Sequence, residues 1–183
     1  MEHLERITFD VDNVLADSIT CWCVKASTCL GYSVSKEDIK SHKIVGSIAM
    51  DAREIFRLQE EVWQEWEKLP PTEDNIPEKL LTLKERGFTI YIATSRPTRS
   101  ASFVRNWINQ LGIPYDGFYS LGPYKAKVAI DSDILVDDAP EQVARFIAKK
   151  RKGFIYDQPW NRNVDVPKAI VIHNLTELLS HLE

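Results

Sequence analysis

The stretch Ile7–Asp17, ITFDVDNVLAD, runs from an apolar strand-like segment into three acids, Asp10, Asp12 and Asp17, within eight residues. A second apolar run, Asp133–Glu141, DILVDDAPE, also ends on acids, Asp137 and Asp138. In both cases β-branched and apolar residues suited to a buried strand deliver carboxylates at the strand's C-terminal end. Working outward, the same rhythm recurs. FTIYIATS, 88–95, reads as a strand ending on Thr94, Ser95 and Arg96, and YDGFYSL, FIYD and AIVI read as further strands. Between them lie helical patterns: Ile76 to Arg86 with Pro77 in its first turn and Gly87 as its stop, TRSASFVRNWINQLG stopped by Gly112, and APEQVARFIAKKRKG stopped by Gly153. NLTELLSHL reads as the last helix. Strands alternating with helices predict an α/β fold, a parallel sheet with helices on both faces.

One segment breaks the alternation. From Ser18 to Pro71 the chain reads as two helical stretches joined by a loop, closed by Pro70-Pro71. The apolar positions Ile48, Ile55, Phe56, Val62, Trp63 and Trp66 recur at helical spacing.

Composition narrows the function classes. The 183 residues are 44% hydrophobic and 27% charged, which suits one globular domain with a small insertion. The net charge of −4 provides no basic field for a nucleic acid polymer or an anionic membrane. The basic run Lys149-Lys150-Arg151-Lys152 falls where a helix is expected to end, and favourable interaction with the helix dipole explains it. MEHLERITFD leads directly into a strand without an apolar signal core, and no run approaches the roughly 20 apolar residues that span a bilayer. A cytoplasmic protein with no membrane partner is expected. The three cysteines, Cys21, Cys23 and Cys29, lie close together, and C-x-C-x5-C lacks the usual zinc knuckle. They are expected to pack as small apolar residues on a helix. His3, His42, His173 and His181 have no spacing that suggests a metal site, so surface positions or local hydrogen bonds are expected for them.

In an open parallel sheet, ligands bind beyond the C-terminal strand ends. If the strands are neighbours, Asp10, Asp12, Asp137 and Asp138 converge there with Thr94, Ser95, Arg96 and Lys125 or Lys127. Two like charges about 4 Å apart repel by roughly 4 kcal/mol at an effective dielectric near 20. Several such pairs weigh heavily against a total stability of about 5–15 kcal/mol. Either some of the acids are protonated or a cation sits among them, and hard oxygen ligands suit Mg²⁺ with a substrate phosphate.

These residues carry a resemblance. FDVDNVLAD resembles the D-x-D motif of the haloacid dehalogenase superfamily, IYIATS its second motif, Lys127 its third and ILVDD its acidic fourth, in family order over about residues 5–175. DVDNVLAD, the K-x9-DD spacing and YDQPWNR most resemble the 5'(3')-deoxyribonucleotidase-like group. Asn13 stands where many relatives carry Gly, and Asn tolerates the left-handed turn geometry. The resemblance implies a Rossmann-like three-layer sandwich with a central parallel sheet. It also implies a core of residues 1–17 and 72–183 and a small helical cap, 18–71, inserted after the first strand. It implies a Mg²⁺-dependent phosphomonoester hydrolase acting through an aspartyl-phosphate, with a (deoxy)ribonucleoside monophosphate as the small phosphorylated substrate.

By the same resemblance Asp10 is the nucleophile and Asp12 the acid/base. Asp10, the Asp12 backbone carbonyl and one of Asp137 and Asp138 are the metal ligands. Thr94 binds a phosphoryl oxygen, and Lys127 neutralises nucleophile and phosphate; its ten-residue spacing to Asp137 favours it over Lys125. Ser95 and Arg96 lie beside the phosphate, and Arg96 either binds it or pairs with a surface acid. Trp22, Phe56, Trp63 and Trp66 either stack on a base or form the cap's own core. The same chemistry on another small phosphoester is an alternative, as is a phospho-accepting or binding domain without turnover. Receiver domains, however, place their paired acids first and the acceptor later, the reverse of the order here.

Overall fold

The computed structural model describes residues 5–123 and 125–183. His3 lies outside them. Six strands form one parallel sheet: β1 (Arg6–Asp10), β2 (Thr89–Thr94), β3 (Gly117–Ser120), β4 (Ile134–Asp137), β5 (Lys152–Tyr156) and β6 (Ile170–Ile172), in the order β3-β2-β1-β4-β5-β6. The helices are α1 (Ser18–Leu30), α2 (Ala52–Gln64), α3 (Ile76–Glu85), α4 (Ala101–Gln110), α5 (Pro140–Ala148) and α6 (Leu175–His181). Central β1 buries Ile7, Thr8 and Phe9 completely, as a strand covered on both faces must. Its buried hydroxyl at Thr8 is satisfied by Ser132 at 2.8 Å.

The strand order places the site. The chain steps outward from β1 to β3, then restarts at β4 on β1's other side. Right-handed crossovers in opposite directions put helices on opposite faces and open a crevice at the reversal, between β1 and β4. Phe9 is level with Val136, so one residue further on Asp10 and Asp137 emerge together.

The segment 18–71 leaves and rejoins the sheet through two connectors that run side by side. Asp17 N–H donates to the Pro70 carbonyl at 2.9 Å, and Thr72 N–H donates to the Leu15 carbonyl at 2.8 Å. Its apolar residues are continuous with the main core: Ile55, Leu58, Val62 and Trp63 belong to the same buried cluster as Ile7 and Phe9. Trp63 meets Trp107 of α4 edge-on, with ring centroids 6.1 Å apart.

Two expectations need correction. Gly153 does not stop a helix: α5 ends at Ala148, Lys150 takes the left-handed conformation, and Gly153 lies inside β5. A Cβ there would come within 2.6 Å of Val143 Cγ1, so this glycine lets α5 pack closely on the sheet. Within the basic run, Arg151 leaves the helix end and donates to the Val128 and Ile130 carbonyls at 3.2 and 2.8 Å. Of the cysteines, Cys23 is buried as expected and Cys29 is exposed. His173 pairs locally with Glu177, while His42 of the inserted segment reaches Glu141 in α5, far away in sequence. No described helix is long and apolar enough to cross a membrane.

Candidate active site

Asp10, Asp137 and Asp138 are buried, and each offers a carboxylate oxygen within 4.8 Å of the others. Lys127 sits among them, 3% exposed, with Nζ 2.5 Å from Asp10 Oδ1 and 2.6 Å from Asp137 Oδ2. Lys127 is held in a short 3-10 turn, Lys127–Ala129, packed on α5. Lys125 is exposed.

The charges do not balance within the protein: three carboxylates face one ammonium. Burial, opposed by Lys127 and reinforced by Asp137 and Asp12, pushes the Asp10 carboxyl up to about 7. Burial, with Asp10 and Asp137 beside it, raises Asp138 well above the usual carboxylate range. For Lys127, burial opposes the charge but Asp10 and Asp137 outweigh it, and its proton is held more tightly than in water. Asp137 is the tethered acid: one oxygen takes the Lys127 ammonium and the other the Ala139 N–H at 2.9 Å. Asp138 makes no side-chain hydrogen bond among the described residues. A cluster of hard oxygen donors with an excess of negative charge fits a divalent cation, and Asp138 is the carboxylate free to ligate it.

Asp12 stands apart from this trio. Its Oδ1 accepts from Ser18 Oγ at 2.7 Å, Trp63 Nε1 at 2.9 Å and Arg96 Nη2 at 2.8 Å, and its Oδ2 accepts from Arg96 Nε at 2.9 Å. Burial alone would raise its carboxyl, but the Arg96 guanidinium outweighs that and, with Ser18 and Trp63, holds it below the usual range. Arg96, just beyond β2, therefore meets the second acid of D-x-D with its fork and the partly exposed Glu60 with Nη1 at 3.5 Å. Thr94 is fully buried and accepts the Arg96 N–H at 3.1 Å; Ser95 is half-buried beside it.

The turn that carries these acids is built by Asn13, in the geometry expected of it, and is braced from a distant segment. Asn13 takes φ 63°, as its side chain permits, and its Oδ1 caps the Ile19 N–H at 2.9 Å. Gln158 Nε2 donates to the Asn13 carbonyl at 2.7 Å, and Asn161 Nδ2 donates to the Asp138 carbonyl at 3.0 Å and the Tyr156 carbonyl at 2.9 Å. The DQPWN segment thus braces both acidic loops from behind. Its polar residues were visible as a pattern, but Gln158 and Asn161 also reach the Asn13 and Asp138 carbonyls, more than 20 residues away, which no local spacing reveals.

Among the inserted segment's aromatics, Trp22 and Trp63 are buried, and Trp66 packs against the core. Trp22 Nε1 donates to the Ile55 carbonyl at 3.2 Å, while Phe56 is 57% exposed. The position of Trp63 on Asp12 is a further link that periodicity alone does not supply.

Several solved structures share this architecture. A haloacid dehalogenase-like hydrolase from Streptococcus pneumoniae superposes with a TM-score of 0.72 at 18% identity, covering 100% of both chains. A haloacid dehalogenase-like protein from Agrobacterium tumefaciens gives 0.69 at 15% identity, over 98% of both chains. A predicted phosphoglycolate phosphatase from Haemophilus somnus gives 0.66 at 14% identity, over 100% of both chains. At these identities the likeness shows the fold. No curated protein matches by sequence. Residues 4–179 match the family described as 5' nucleotidase, deoxy (pyrimidine), cytosolic type C protein. Since that match takes in both acidic strand ends, Lys127 and the bracing DQPWN segment, the chain belongs to this 5'-nucleotidase family of haloacid dehalogenase-like phosphatases.

Proposed function

We propose that this phosphatase is a Mg²⁺-dependent 5'-nucleotidase acting on (deoxy)ribonucleoside monophosphates in the cytoplasm. The observation that carries the reading is the buried Asp10–Lys127–Asp137–Asp138 cluster inside a chain matched almost throughout by a nucleotidase family.

In the proposed reaction an Asp10 carboxylate oxygen attacks phosphorus, the phosphorus–oxygen ester bond breaks, and Asp12, which must take up a proton when substrate binds because Arg96 holds it ionised in the free protein, gives that proton to the departing nucleoside oxygen. Water then attacks the aspartyl-phosphate, Asp12 takes the water's proton, and inorganic phosphate and free Asp10 result. Lys127 keeps Asp10 oriented and offsets charge on the transferring group. Thr94 receives its hydrogen bond from the Arg96 N–H, so its own hydroxyl proton is available to a phosphoryl oxygen. Ser95 and Arg96 flank that position. Asp10, the Asp12 backbone carbonyl and Asp138, with Asp137 tethered behind them, would hold the cation. When bound, Mg²⁺ supplies positive charge to the phosphoryl oxygens and offsets the carboxylate excess. The segment 18–71 acts as a cap that excludes water and contacts the leaving nucleoside.

Phosphate release should be measured across nucleoside monophosphates, sugar phosphates and p-nitrophenyl phosphate, with Mg²⁺ and with EDTA. Nucleotides should show the highest kcat/KM, and EDTA should abolish turnover until Mg²⁺ is restored. Full activity in rigorously chelated enzyme would remove the metal assignment, and equal kcat/KM for sugar phosphates and nucleotides would remove the nucleotide assignment.

A further inference from the structure

We propose that the loop 40–47 is a pH-sensitive latch, in which protonated His42 fastens the inserted segment to α5. The proposal goes beyond the assigned chemistry and uses none of its residues.

The inserted segment is held by two unlike kinds of contact. Along α2 they are apolar and buried: Trp63 meets the ring of Trp107, whose indole N–H donates to the Leu69 carbonyl at 2.8 Å. Toward α5 they are ionic. His42 Nε2 lies 3.0 Å from Glu141 Oε1, and Lys43 Nζ lies 4.0 Å from the same oxygen. Arg162 Nη1 lies 3.5 Å from Glu37, just before the loop. Between the loop and α5 the structure leaves a cavity of about 450 Å³, lined by Lys40, His42, Lys43, Glu141, Trp160 and Asp165 among others. A packed apolar seam has no such space. The cavity borders α5, which begins at Pro140, just after Asp138.

The loop itself is strained. Ile44 has φ 65°, and of the described non-glycine residues with positive φ it is the one with a β-branched side chain. That conformation crowds the Cβ of a branched residue, and such strain persists only where the surroundings impose it. Ile44 is buried in the main core, so its burial and its backbone oppose one another. Three hydrogen bonds close the loop around it: Ile44 N–H to the Ser41 carbonyl at 2.8 Å, Ser47 N–H to the Ile44 carbonyl at 2.9 Å, and Lys40 N–H to Ser47 Oγ at 2.9 Å. When the loop leaves α5, Ile44 can return to extended backbone and these amides become open to exchange.

The sign of the pH dependence follows from the pair. Histidine is the side chain whose unperturbed charge change falls between about pH 5 and 8. The hydrogen bond from His42, opposed by burial, holds the Glu141 carboxyl down at about 2, so its charge is constant over that interval. The ion pair is therefore complete at the acidic end and is lost as pH rises. The other charged groups around the cavity, Lys40, Lys43 and Asp165, are of types whose unperturbed titration lies outside the interval. Lys43 keeps part of the tether when His42 is neutral.

The test is amide exchange of the full chain in EDTA at about pH 5.5 and about pH 8, the two ends of that interval. Protection factors are corrected for intrinsic exchange at each pH. The protection of the 40–47 amides in the wild type, divided by that in His42→Gln, should be about two- to fivefold at the lower pH, the size of a partly exposed ion pair, and close to one at the higher. Glu141→Gln, which also releases Lys43, should give a larger ratio, again greater at the lower pH. His173→Gln, which removes the other histidine–glutamate pair, should leave the loop as in the wild type. A ratio of one at both pH values, or the same ratio at both, would overturn the latch. So would an equal loss of protection over α1 and α2, which would mean that the whole segment loosens. If His42→Gln does not fold, Glu141→Gln carries the comparison. No substrate is present, so failure of the nucleotide assignment leaves this readout unchanged.

Discussion

The two acids of D-x-D lie two residues apart in the chain and in different electrostatic surroundings. Asp10 shares a buried pocket with like charges and is pushed up to about 7, with burial the largest cause; Asp12 is held below the usual range because Arg96 and its neighbours outweigh burial. For the proposed roles Asp10 must be ionised to attack, which a cation in the cluster favours, and Asp12 must take up a proton. Asp10→Asn should remove all turnover and leave no phosphoryl-enzyme in rapid-quench experiments. Asp12→Asn should still bind substrate but lose roughly 10²–10⁴ in rate. Near-normal turnover by Asp10→Asn, with no intermediate from Asp12→Asn, would reverse the roles. The residue types were readable from the chain, because D-x-D and D-D at strand ends stand out against an apolar background. The asymmetry was not, because it depends on Arg96, Trp63 and Ser18 arriving at one carboxylate from three elements.

At the scale of elements, β1–β4 pairing brings the Asp137–Asp138 loop beside Asp10, and α5, which follows that loop, packs closely on the sheet. Gly153→Ala forces a methyl against Val143 Cγ1, 2.6 Å from its ideal position. Overpacking of this kind typically costs about 1–3 kcal/mol, to be read as a lowered midpoint in urea denaturation. An unchanged midpoint would mean that α5 shifts freely. The inserted helices are fastened just as firmly. Trp22 is 1% exposed and donates its indole N–H within the segment, so Trp22→Ala should cost about 3–5 kcal/mol and lower kcat/KM equally for nucleotides and p-nitrophenyl phosphate. A selective loss on nucleotides would instead put Trp22 against the base. The apolar spacing predicted a helix with a buried face, which Ile55, Val62 and Trp63 realise; Leu58 joins them, Phe56 is exposed, and Ile48 and Trp66 lie outside α2. That this face would join the main core, rather than enclose a separate one, is a matter of packing between α2 and α4 that helical periodicity does not contain.

For the molecule as a whole, the buried carboxylates tie stability to pH and to metal. A carboxyl whose folded value lies above its unfolded one binds its proton more tightly in the folded state, so its burial costs stability as pH rises between the two values. For Asp10 that window runs from 3.8 to about 7, and Asp138 is shifted the same way. In EDTA, the unfolding free energy of the wild type relative to Asp10→Asn should therefore fall from pH 4 toward pH 7. With saturating Mg²⁺ that decline should flatten and Tm should rise, since a cation bound only by the folded state adds about 2.7 kcal/mol at a hundred times its Kd. A wild type whose stability relative to Asp10→Asn has the same pH slope with and without Mg²⁺ would place the cation elsewhere.

The local order of the chain was sufficient for the α/β class, for the parallel sheet and for the strand ends that would carry acids, because burial on both faces demands continuous apolar runs and helices announce themselves by period and stop signals. It was also sufficient for Asn13, whose left-handed turn is a property of one residue. What it left open were matters of long-range convergence. Asp137 tethered while Asp138 is left free, Arg96 turned onto Asp12, and Gln158 and Asn161 bracing turns far away in sequence all depend on which strands became neighbours. Gly153 shows the limit most directly. A glycine after a helical run looks like a stop signal, yet whether it ends a helix or admits one against a strand is decided only when α5 and β5 meet.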